Sequence, residues 1–347
     1  MVVIDGSYGE GGGQVLRMAL ALSAILQEPV RIENIRAGRP NPGLQAQHLT
    51  GVMAIAKICQ AELSGAELGS KELTFRPRRP PQPGSYFFDV TEARQGGSAG
   101  ATTLVLQTLL LPLALAKGTS TLTLKGGTHV SWSPPFHYVQ QVLFPTLARM
   151  GIRAEAQLKQ WGWYPVGGGE ISVTIHGGAQ IKGITLDRRG KLRRIRGISA
   201  YSNLPDHVGL RQKEHAVELL RRRGFEVQIE VVKAPSPGKG SCLFLLAEFE
   251  NVLAGFTSLG ERGKPAEKVA EEAVQEFLDY METDAALDPH LADQLILPAA
   301  LAQGPVAFTT ARITKHLLTG VWVVERFMGQ KFAVEGKEGH PGRVSTV

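Results

Sequence analysis

Only two cysteines, Cys59 and Cys242, occur in the 347 residues, far apart and without CxxC or His-rich company. That excludes a disulfide framework and suggests no zinc site, so both read as reduced, buried thiols. Long hydrophobic runs are also missing. The longest, 101–116, is interrupted by Thr102, Thr103, Gln107, Thr108 and Pro112, too broken for a bilayer span, and reads as a buried helix with no membrane contact. The N-terminus MVVIDGSYGEGGG lacks the basic and apolar regions of a secretory signal, so a cytoplasmic location is expected. Its glycine loop lacks both the Gly-Lys-Ser/Thr of a Walker motif and the spacing of a dinucleotide fingerprint. Aromatics make up 7% and charged residues 20%, against 43% hydrophobic residues; this is globular composition, neither disordered nor fibrous.

Acidic residues are in deficit. Thirty-eight Lys and Arg face 32 Asp and Glu, a net charge of +6, which favours a polyanionic partner. The excess gathers in Arg188, Arg189, Lys191, Arg193, Arg194 and Arg196, and again in Arg221, Arg222 and Arg223. Such clusters suit a nucleic-acid contact as readily as solvated faces. The length predicts two domains, or one large domain with an insertion.

Apolar spacing predicts helices over 14–26, 48–59, 101–116, 138–150, 213–222 and 268–280, separated by β-branched runs at 30–35, 121–124, 170–175, 227–232 and 241–249. The class is mixed α/β. A unit starting at Val30 recurs at Thr121 and Val306: a strand, a polar loop, an amphipathic helix and a strand pair. The three loops are RAGRPNPGLQAQH, KGGTHVSWSPPFH and TTARITKH, at equivalent positions. Side by side, their helix N-termini would offer amide donors to anions. Residues 183–283, with the basic clusters and the loop SPGKGS, break the pattern. They are expected to form a smaller inserted domain, with 1–182 and 284–347 making the large one.

Four segments could carry chemistry. In GSYGEGGGQVLR, glycines allow close approach to phosphate, and Glu10 suits a Mg²⁺ ion that keeps most of its waters. In RAGRPNPGLQAQH, Arg36 and Arg39 can fork around one phosphate beside Gln47 and His48. In QGGSAGATTLVLQT, Gln107 is a polar residue on an apolar surface that either satisfies backbone or faces a ligand. In TTARITKHLLTGVWVVERF, His316 stands where a loop becomes a helix, and a neutral imidazole there can attack phosphorus. His48, His129 and His137 compete for that role on residue type alone.

Together with HLADQLILP at 290–298 and GWYPVGGGE at 162–170, these motifs in this order resemble the RNA 3'-phosphate cyclase family over most of the chain, least in 183–283. The resemblance implies a fold of three units like the C-terminal domain of translation initiation factor three, plus a small inserted α/β domain. It implies ATP-dependent conversion of an RNA 3'-phosphate to a 2',3'-cyclic phosphate, with AMP and pyrophosphate released and His316, in KHLLT, as the covalent acceptor of AMP. It further implies that Glu10 holds Mg²⁺ (or Mn²⁺). Arg17, Arg36, Arg39, Gln47 and His48 would line the phosphate side, and Gln107, Pro134, His290, Asp293 and Gln294 the adenylate side. His290 stands where a tyrosine often stacks on adenine, and Gly320 where asparagine is common. The implied partners are ATP and an RNA with a 3'-phosphate end, with a homodimer left open. Within the same family, the non-catalytic branch that acts in ribosomal RNA processing lacks the nucleophilic histidine. Enolpyruvyl transferases, built from similar units, lack this ordered motif set.

Overall fold

The computed structural model describes residues 1–93 and 98–347. Gln95, Gly96 and Gly97, which open the QGGSAG segment, lie outside the described residues.

Strand β1 (Val2–Asp5) leads through the glycine loop into helix α1 (Gly13–Leu26), followed by β2 (Val30–Glu33), α2 (Ala46–Cys59), β3 (Glu62–Ser64) and β4 (Leu73–Arg76). The same order returns in β5 (Ser85–Asp89), α3 (Thr102–Leu115), β6 (Ser120–Gly126), a helical segment, β7 (Arg153–Gln160) and β8 (Gly169–His176). That segment runs from α4 (Phe136–Tyr138) through a π turn (Val139–Leu143) into α5 (Phe144–Arg149). A third copy opens with β9 (Thr185–Leu186) and is then interrupted. The interruption comprises β10 (Leu192–Ser202), α6 (His207–Arg222), β11 (Val227–Lys233), β12 (Gly240–Phe249), β13 (Leu253–Leu259) and α7 (Ala266–Met281). The copy resumes with α8 (Pro289–Ala300), β14 (Ala307–Thr310), α9 (Lys315–Met328), β15 (Phe332–Glu335) and β16 (Gly342–Thr346).

Sheet order identifies the repeat. The three sheets run β1-β2-β4-β3, β5-β6-β8-β7 and β9-β14-β16-β15. In each, the first two strands are parallel and the rest antiparallel. The repeating unit is therefore βαβαββ, one strand and one helix longer than the pattern visible in the residues. The opening strand of the third copy escaped notice because it is two residues long and lies some hundred positions from its helix. Residues 185–186, inside the range expected for the insertion, pair with β14 at Ala307 and Phe308.

Strands with one face on the core alternate: β8 buries Ile171, Val173 and Ile175 and turns Ser172 and Thr174 outward, the period that a half-covered sheet requires. Helices α1 and α3 are buried almost all round, as their near-continuous apolar stretches demand. No helix among the described residues is long and apolar enough to cross a membrane. Both cysteines are free and buried, with their thiols pushed up to about 12 by burial.

The sheet β11-β10-β12-β13 docks on the second copy through a small aromatic core of Trp161 and Trp163 with Ala200, Ala234 and Cys242. Trp163 Nε1 donates to Ser202 Oγ at 2.8 Å, and the backbone of Trp161 donates to Pro235. Within the first basic cluster, Arg189 points inward. It donates to the carbonyls of Tyr280, Met281 and Ala285 and lies over the Tyr280 ring at 4.8 Å. Arg194 and Arg196 share Glu248. Arg189 thus closes the C-terminal end of α7 where the chain leaves the insertion, a helix end rich in unpaired carbonyls. Arg189→Ala should cost about 3 kcal/mol through lost charged hydrogen bonds, lowering the thermal midpoint by several degrees. A midpoint within about a degree of wild type would refute this role.

Candidate active site

His316 is the second residue of α9, whose N-cap is Thr314: its Oγ1 accepts from Leu317 N and donates to Asp293 on α8. The ring lies against α1. Gln14 Nε2 donates to the His316 carbonyl at 3.0 Å, while Gln14 Oε1 faces His316 Nδ1 at 2.9 Å. Because the carbonyl can only accept, the first bond fixes which end of the carboxamide is the oxygen, and the second then requires a proton on Nδ1. Nε2 is left to face Glu10 Oε2 at 3.2 Å. The His316 side chain is 48% exposed and Glu10 only 11%, so the ring can be reached from solvent while its carboxylate partner is nearly enclosed. Burial lowers the His316 pKa, and Arg17, Arg39 and His290 add to that effect against Glu10. The neutral ring is favoured.

Glu10 is also gripped by Arg39. Around it, Arg17 is pulled down to about 10 by burial, with Glu10 opposing, and stays charged at neutral pH. Gly13 is where backbone must approach side chains. A Cβ there would come within 2.4 Å of His48 Nε2 and 3.0 Å of Arg17. His48 is pushed down to about 3 by burial, and the charges of Arg36, Arg17 and Arg39 add to this. It is therefore a neutral ring among cations. Its Nδ1 is buried without a partner among the described residues. Among the described residues, helices α1 and α2 begin without a side-chain cap or a first-turn acid, so their first amides are free to meet an anion. Three arginines against one carboxylate, with open amides, form a seat for a polyanion.

Two expected phosphate ligands have partners already. Arg36, in the left-handed region at φ 56°, donates to the carbonyls of Asn41 and Gly43 and so braces its own loop. Gln47 Oε1 accepts from Ala101 N and ties α2 to the start of α3.

A second group flanks the first. Gln107 Nε2 donates to Gln294 Oε1 at 2.8 Å, so its polar group meets a neighbouring side chain. The carbonyl of Pro134 accepts from Thr103, one turn from Gln107 on α3. His290 is exposed and stands edge-on to Tyr138 at 6.4 Å. Asp288, fully buried, caps α8 and accepts from the Tyr138 hydroxyl; burial raises its pKa. Asp293 is pushed up to about 8, chiefly by burial, with Asp288 and Glu10 adding and Thr314 opposing. It joins the two groups, since the Thr314 it accepts from caps the helix bearing His316.

Of the competing histidines, His129 and His137 lie elsewhere. They are 1% and 8% exposed and bonded to each other at 2.9 Å, with His129 stacked on Trp161 and His137 tilted against it. Burial holds both below the usual imidazole range. Gln14, which sets the His316 ring, carried no role in the sequence reading. Its only signal was its place directly after the glycines. At Gly320 an added Cβ would sit 3.5 Å from Gln14 Nε2, so a longer side chain there enters the same layer. Among the described residues no three acidic, His or Cys side chains form a ready metal cage.

A family model described as RNA 3'-terminal phosphate cyclase matches residues 8–334. The chain belongs to the RNA 3'-terminal phosphate cyclase family. Relatives named RNA 3'-terminal phosphate cyclase include one from Methylococcus capsulatus, 53% identical over 93% of this chain and 90% of the relative. Another, from Gloeothece citriformis, is 48% identical over 94% and 93%. One from Pyrococcus furiosus is 44% identical over 100% and 99%.

Replacement of Asp293 by Asn isolates its titration. A carboxyl raised from 3.8 to about 8 favours the fold below 3.8 and loses that contribution as pH climbs through 8. The thermal midpoint of Asp293→Asn should therefore gain on wild type steadily across that window and level off above it. A pH-independent difference would show that the carboxyl is ionised throughout.

Proposed function

We propose that this chain is an ATP-dependent RNA 3'-phosphate cyclase in which His316 accepts AMP. The observation that carries this reading is the Gln14 carboxamide. By holding a proton on Nδ1 it leaves the Nε2 lone pair as the nucleophile, aimed at the side where Glu10 and the arginines lie.

Three displacements follow. In the first, Nε2 attacks the α-phosphorus of ATP, forming the P–N bond as pyrophosphate leaves. Any proton on Nε2 beforehand passes to Glu10, its neighbour at 3.2 Å. In the second, an oxygen of the RNA 3'-phosphate attacks the same phosphorus and His316 leaves. In the third, the ribose 2'-hydroxyl attacks the terminal phosphorus and releases its proton to solvent, AMP departs and the cyclic phosphate closes. Arg17, Arg36 and Arg39 would neutralise phosphates, with Gln47 and the neutral His48 lining the same side, and Gln107, Pro134, His290, Asp293 and Gln294 would hold the adenylate. The edge-on contact of His290 with Tyr138 keeps an aromatic surface at the position where the family often has tyrosine.

A lone, nearly enclosed carboxylate at a phosphate site suits a hard cation whose other ligands are water and phosphate. Glu10 would hold Mg²⁺ (or Mn²⁺), which when bound neutralises charge on the departing pyrophosphate. The same proposal includes a cytoplasmic protein whose partners are ATP and a 3'-phosphorylated RNA. It treats the expected span 183–283, apart from β9 (Thr185–Leu186), as a smaller domain set into a large one of 1–182 and 284–347.

With Mg²⁺ and α-labelled ATP, wild type should acquire acid-labile label and His316→Ala none. No label on folded, ATP-binding wild type would overturn the reading in favour of an RNA-binding processing factor. Gln14→Leu should slow label formation on the order of 100-fold, as small misplacements of reacting groups do, with ATP affinity little changed. An unaltered rate would remove Gln14 from the account.

A further inference from the structure

Trp132 is 91% exposed, more than any other large apolar side chain among the described residues, and its backbone sits at φ 64°. A bulky residue in the left-handed region is strained, and an indole in water forgoes its burial energy. Among the described residues no aromatic pair or side-chain hydrogen bond of Trp132 offsets either cost.

The loop that carries it is stiff. Ser133 Oγ donates to Val130 O at 2.8 Å, Phe136 N donates to Thr128 O at 3.0 Å, and Pro134 and Pro135 follow. Val130 is buried against Ala99, Ala101 and Leu104. A second loop runs beside it, paired in parallel at His129 and Trp163, and its turn presents Tyr164 at 74% exposure and Val166 at 52%. The SPGKGS turn of the inserted sheet packs on that second loop: a Cβ at Gly238 would lie 3.3 Å from Val166, and Gly240 abuts Trp163. Between those glycines, Lys239 is exposed and makes no ion pair among the described residues. Two open aromatics and a free cation thus crown the second repeat.

Their position relative to His316 follows from contacts. Pro134, two residues past Trp132, meets Thr103; Gln107, one turn on, meets Gln294; Asp293 beside it meets Thr314, the cap of α9. The crown is therefore the outer rim of the same site, beyond the adenylate side.

We propose that Trp132 and Tyr164 form a stacking platform for unpaired bases of the RNA strand leading to the 3'-phosphate, with Lys239 against its backbone. Bare aromatic faces joined to an unpaired cation are what sequence-tolerant single-strand binding uses. A protein partner would call for a wider apolar patch than two rings and one valine. The proposal rests on the cyclase reading, and it gives the SPGKGS turn of the insertion a part in holding substrate.

The test compares cyclisation of a ten-nucleotide RNA 3'-phosphate with that of a dinucleotide 3'-phosphate, too short to reach the rim. Trp132→Ala should raise KM for the longer RNA roughly tenfold, leaving kcat, self-adenylylation and the dinucleotide KM as in wild type. Trp132→Phe, which keeps a ring, should stay near wild type, and Lys239→Gln should reduce the salt dependence of the long-RNA KM by about one phosphate contact. An unchanged long-RNA KM, or an equal rise for the dinucleotide, would overturn the platform. A raised ATP requirement for adenylylation would also overturn it, assigning Trp132 to the nucleotide. Failure of the cyclase reading shows itself separately, as wild type that neither adenylylates nor cyclises. Anisotropy of the labelled ten-mer then decides alone, with a roughly tenfold weaker Trp132→Ala supporting the platform and equal binding refuting it.

Discussion

One side chain from the first repeat grips one residue of the third at two points. Gln14 meets His316 at its carbonyl and at its ring, so the tautomer of the ring and the approach of α9 to α1 are decided together. Changing either helix's position would release both. The approach is close enough that a Cβ on Gly9 would fall 2.1 Å from Thr319 Oγ1, which makes the glycine loop a packing surface. Glu10 then meets the ring nitrogen that Gln14 leaves free, and Arg39 grips Glu10 in turn.

Repetition explains how such a site arises. Three βαβαββ copies place three strand-to-helix loops in equivalent positions, and each has taken a different chemistry. The first supplies arginines, the third a histidine on a capped helix, and the second a proline-stiffened loop with an outward tryptophan. The insertion enters the third copy between its first strand and its first helix. Arg189 seals one junction and the Trp161–Trp163 core anchors the sheet to the second copy.

Much of this was legible in the residues, and the exceptions have physical causes. Helices α1, α2, α3 and α7 were predicted within about two residues because their apolar spacing is strong. Helix α6 begins at His207, six residues before the apolar pattern announces it, since its first turns point Leu210 outward and bury Gly209 and Gln212, against the usual apolar period. Helix α8 passed without notice, although Asp288 followed by Pro289 is a start signal in which the acid caps and the proline occupies the first turn. The glycine and arginine loops were singled out through composition, and the structure brings Glu10 and Arg39 from them together beside His316. Gln14 could not declare itself, because its meaning depends on a residue 302 positions away. Nor could Arg189 be told from Arg188 or Arg193, since charge patterning does not say which guanidinium turns inward.

The central claim is that Gln14 leaves Nε2, and not Nδ1, as the attacking nitrogen. Its most direct test is to locate the phosphorus in the adenylylated protein by ³¹P–¹⁵N correlation and peptide mass mapping. The account predicts AMP on His316 bonded through Nε2. A bond to Nδ1, or AMP on His48 or any other residue, would contradict it.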